Sequence, residues 1–97
     1  MLGFYAAVTR QDPAGRPSGG WTPDQRLTRE ETLRSFTWGA SYAAHAEKDL
    51  GSLETGKLAD MVLLDRDVTT VEAKQILATE AIATIIGGEV VYEKPKP

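Results

Sequence analysis

The sequence predicts an α+β fold, with helical signals in its first half and strand signals in its second, and three stretches carry that reading. Thr28-Arg29-Glu30-Glu31 is a helix start, because the Thr28 hydroxyl can cap the first turn while Glu31 reaches back three residues. Ile82-Ala-Thr-Ile-Ile86, Gly87-Gly88 and Glu89-Val-Val-Tyr92 read as a hairpin, since Gly-Gly between two β-rich runs suits a two-residue turn. Met61-Val-Leu-Leu64 sets four apolar residues between Asp60 and Asp65, the pattern of a short strand buried on both faces, although periodicity alone leaves a buried helix open.

Leu2 to Val8 is apolar and Ala-rich, which suits a short helix or a strand end. Two accounts of it compete: a helix packed on the rest of this domain, or a segment of a larger fold whose surface packs elsewhere. Gln11 to Gln25 holds Pro13, Gly15, Pro17, Gly19, Gly20 and Pro23, so it is a long loop without helical or strand period. Trp21 is its one large anchor, and burial of the indole would pin it. The helix opened by Thr28 is expected from Arg29 to about Trp38, with Leu33, Phe36 and Ala40 forming an apolar stripe. Gly39 should interrupt it, and a second short helix should follow from Ser41 to Glu47.

The segment from Gly51 to Asp65 organises the second half. Thr55-Gly56 reads as a tight turn, because glycine tolerates positive φ. Two short strands around that turn are expected, the second one central in its sheet. Strands are thus expected at Ala59–Asp65, Ile82–Ile86 and Glu89–Tyr92. Val71 to Leu77 reads as one or two helical turns capped by Thr69 or Thr70. Lys94-Pro95-Lys96-Pro97 reads as a frayed tail, since proline cannot extend a ladder.

Composition narrows the function classes. Ninety-seven residues make one small domain that buries a modest share of its surface. The net charge is −3 and the eleven Lys and Arg are scattered, which argues against a nucleic-acid partner. With no cysteine there is neither a disulfide nor thiolate chemistry. No apolar run approaches a membrane span, and the N-terminus lacks the basic region of a signal peptide, so a cytoplasmic protein without a membrane partner is the default.

Candidate site residues are few. His45 is the sole histidine, and a metal site needs several converging donors, so a surface or packing role is favoured. Asp60 and Asp65 fall on opposite faces of a strand, and Asp65 and Asp67 flank Arg66 where the strand ends. Solvated strand-end carboxylates account for them better than an acid–base cluster. No residue is singled out as catalytic, cofactor-binding or metal-binding.

GSLETGKLADMVLLDRD followed by ATIIGGEVVYE resembles the C-terminal signature of the metal-dependent amidohydrolase superfamily. The upstream stretch from Leu2 through the Thr28 helix to Ala44 resembles the subgroup often called amidohydrolase family 3, which includes D-aminoacylase-like and N-substituted formamide deformylase-like enzymes. The resemblance runs from Leu2 to Glu93. It implies the C-terminal segment of a larger enzyme: residues 1–49 as the last helices and a long loop of a (β/α)8 barrel, residues 50–97 as C-terminal strands of a composite β-sandwich. It further implies a divalent metal, zinc first, that activates water against a non-peptide C–N bond. The family's histidine pairs are not in this chain, and its late aspartate would fall upstream of Met1. Gly39-Ala40-Ser41 stands where the family has an Asn-led turn. By the same resemblance the loop follows the last barrel strand, so Arg10, Arg16 and Trp21 could reach substrate, although a loop held by its own aromatic is the simpler account.

The reading is therefore a C-terminal portion of an amidohydrolase-like enzyme that lacks the catalytic residues. The alternative is a stand-alone α+β interaction module with no catalysis. Uncovered strand edges or the apolar N-terminal segment would then drive self-association. A complete small enzyme is the weakest reading, because convergent titratable groups are missing.

Overall fold

A computed structural model describes residues 1–95 of the chain, and contacts divide it into two compact units. The first comprises residues 1–33 and 66–80, and the second residues 34–65 and the chain from Ala81 onward.

The first unit is built on helices. Helix α1 spans Leu2–Thr9 and buries Phe4 and Tyr5. It packs against α4, Ala73–Leu77, whose Ile76 is fully buried. Val68 is buried as well. The buried hydroxyls in this unit are satisfied locally: Thr32 donates to Thr28 O at 2.7 Å and Thr79 to Gln75 O at 2.8 Å. Arg29 Nη1 donates to Val68 O at 2.6 Å, tying the start of α2 (Arg29–Arg34) to the second segment of the unit. The capping box forms as the sequence predicts. Glu31 N–H donates to Thr28 Oγ1 at 3.1 Å, and Thr28 N–H donates to Glu31 Oε1 at 2.9 Å. Helix α4 differs from expectation, since Glu72 precedes it without a side-chain cap. The Asp67 carboxylate has taken Thr69 instead, accepting its N–H at 2.9 Å, so the threonines fold into an earlier turn.

The helical stretch opened by α2 continues through a π turn, Ser35–Gly39, into α3, Ala40–Ala43. Gly39 does not interrupt it. Its φ of −61° and ψ of −42° are ordinary helical values, and the wide turn absorbs the strain that a break would have relieved. Nor does the second helix reach Glu47. It ends at a Schellman motif in which His45 takes φ 58°, His45 N–H donates to Tyr42 O and Ala46 N–H donates to Ser41 O. The stripe of Leu33, Phe36 and Ala40 is exposed to solvent.

The second unit carries a three-stranded antiparallel sheet in the order β1-β2-β3, with β1 Met61–Leu64, β2 Ala81–Ile86 and β3 Glu89–Glu93. Gly87 and Gly88 join β2 to β3 with φ 58° and 84°, the pair of positive values that a type I′ turn needs. Two expectations are corrected here. Strand β1 lies at the sheet edge and β2 at its centre, and no strand precedes the Thr55–Gly56 turn. The backbone of residues 49–58 is committed to turns, through Lys57 N–H to Glu54 O and Leu58 N–H to Asp49 O, and has no ladder left to offer β1. The apolar run is consequently not buried: Val62 and Leu63 are 54% and 57% exposed. At the other end, Lys94 N–H still donates to Ile82 O, so the ladder outlasts β3 by one residue. Lys96 and Pro97, in the stretch read as a frayed tail, lie outside the described residues.

Candidate functional site

The loop after α1 is the one place where sequence-selected site residues meet. Helix α1 ends at Arg10, whose φ of 57° turns the chain back. Arg10 and Trp21 then clasp each other three ways. Trp21 N–H donates to Arg10 O at 2.8 Å, Arg10 Nε donates to Trp21 O at 2.9 Å, and the guanidinium carbon lies 4.8 Å from the indole centroid. Glycine is required just before the tryptophan. A Cβ on Gly20, whose φ is 91°, would lie 2.4 Å from Thr9 O. Trp21 itself is 67% exposed, which corrects the expectation of a buried anchor. Backbone bonds and the arginine hold the loop, leaving the indole face for solvent.

Arg16 does not join this pair. Its side chain is 78% exposed and its Nε lies 3.7 Å from Asp12 Oδ2, while Asp12 Oδ1 accepts the N–H groups of Ala14 and Arg16. The Arg10–Trp21 pair could stack a planar or cationic group or present donors to an anion. It contains no general base and no nucleophile.

The other candidates have structural duties. His45 is the left-handed residue of the Schellman motif and is exposed. Asp60 accepts Gly87 N–H at 2.8 Å and so ties the hairpin turn to the start of β1. The bonds from Thr69 hold the Asp67 carboxyl below its usual range. Glu31 is likewise lowered, first by the Thr28 backbone N–H. Glu54 is lowered first by its bond to Lys57. Among the described residues, no three His, Asp or Glu side chains come together to hold a metal ion. The donors among the described residues do not fit a divalent metal.

Two further features remain, the first of them passed over in the sequence. Arg34, Trp38 and Tyr42 form a ladder, with the guanidinium 4.6 Å from the Trp38 ring and the two rings stacked at 5.0 Å. Their i, i+4, i+8 spacing was a readable signal. The second is the seat of the Gly51–Lys57 turn. Lys57 Nζ, its side chain 9% exposed, donates to Ser52 Oγ at 2.7 Å and lies 3.3 Å from Glu54 Oε2. A Cβ on Gly51 would fall 2.1 Å from Ser41 Oγ and 3.0 Å from Trp38 Cα. This stretch is a tightly docked element, with its lysine spent on packing.

The family model for the amidohydrolase family matches residues 1–92. The chain belongs to the amidohydrolase family. It is 31% identical over 91 residues to N-substituted formamide deformylase of Arthrobacter pascens, covering 94% of this chain and 16% of that protein. It is 28% identical over 94 residues to the putative amidohydrolase YtcJ of Bacillus subtilis, covering 97% of this chain and 18% of that one. Imidazolonepropionase of Photobacterium profundum is 35% identical over 69 residues, 71% of this chain and 17% of that enzyme. The chain thus spans less than a fifth of the length of these relatives. No solved structure matches it at a significant level. No helix of the described residues is long and apolar enough to cross a membrane.

Proposed function

We propose that this chain is the C-terminal portion of a metal-dependent hydrolase acting on amide-type, non-peptide C–N bonds, with the metal ligands and general base carried by other parts of a longer, cytoplasmic protein. Residues 1–49 would supply late barrel helices and the Arg10–Trp21 loop, and residues 50–97 strands of a composite β-sandwich. The observation that carries this reading is the family match across residues 1–92, on a chain whose described residues gather no metal-binding cluster. Residues outside this chain would hold a zinc or similar ion in the longer enzyme, and that ion would supply Lewis-acid activation of water. The residues described here would shape and support that site. The test is a hydrolysis assay of the purified chain with added zinc on N-substituted formamides and N-acyl amino acids, read beside zinc titration calorimetry. No turnover and no stoichiometric zinc binding are expected. Metal-dependent turnover by the chain alone would overturn the assignment of catalysis to residues elsewhere.

A second reading, a non-catalytic interaction module, is favoured by one observation. No residue of the three strands is buried.

A further inference from the structure

We draw no further inference here: the strongest candidate, the Arg10–Trp21 clasp on the loop after α1, belongs to the site already described, and nothing in the structure shows what lies against its exposed indole face.

Discussion

The two units solve the problem of burial differently, one with apolar side chains and the other with turns. The first closes a small core of its own: Phe4, Tyr5, Val68 and Ile76 are all at or below 5% exposed. The second puts its most apolar residues into a sheet, yet its only buried side chain among the described residues is Ser41. Its order comes from turns and hydrogen bonds, seated by Gly51 against Ser41 and Trp38. The first unit is held by apolar burial, the second by turns, with its sheet uncovered.

The largest expected effect breaks that contrast directly. Ile76 is fully buried between α4 and its surroundings, so Ile76→Ala should cost about 3 kcal/mol through lost transfer energy and a residual cavity. Leu63 has the same hydrocarbon content but is 57% exposed, so Leu63→Ala should cost less than about 1 kcal/mol. Urea unfolding of both variants, followed by far-ultraviolet dichroism, compares them. Equal losses would mean that β1 is covered, and the contrast between the units would fail.

A smaller effect should appear in the first unit under acid. The Glu31 carboxyl is held below its usual range, chiefly by the Thr28 N–H, so the bond favours the charged form. A depressed folded-state pKa contributes stability above the unfolded value and loses it as pH falls through the folded one. The capping box should therefore weaken below about pH 4. Thr28→Ala should cost about 1 kcal/mol at neutral pH. Glu31→Gln keeps an acceptor for Thr28 but cannot titrate, so its stability should fall less on acidification than that of the wild type. Parallel acid slopes would mean that the box contributes nothing. The remaining slope would come from Asp67 and Glu54, which are lowered in the same sense.

How much of this was legible follows the range of the interactions. The capping box, the Gly87–Gly88 turn and the Thr55–Gly56 turn were readable because each is set by a few neighbouring residues and their φ preferences. The failures depended on what lies across space. Met61 to Leu64 reads as a buried central strand because sequence records hydrophobicity and not the number of available neighbours. Trp21 reads as a buried anchor because nothing local shows that backbone bonds from Arg10 would hold the loop instead. Gly39 reads as a break, although glycine accepts helical angles when turns on both sides continue. Asp67 displaced the expected threonine cap by a two-residue hydrogen bond that competes with helix initiation. As for the candidate site, the sequence offered Arg10, Arg16 and Trp21 together, and only the fold separated the pair that meets from the one that does not.

The smallest expected effect is also the one with the opposite sign. His45 occupies the left-handed position of a Schellman motif, with φ 58° and the two closing bonds to Tyr42 O and Ser41 O. A side chain there meets the backbone clash that glycine avoids. If the residue serves only to end α3, His45→Gly should stabilise the chain by about 0.5 to 1 kcal/mol. His45→Ala keeps the clash and should give no gain. Calorimetric unfolding of both variants beside the wild type compares them. A His45→Gly variant less stable than wild type would show that the imidazole makes an interaction beyond the cap. In that case the second unit would be held by more than its turns, and the contrast with the first would narrow.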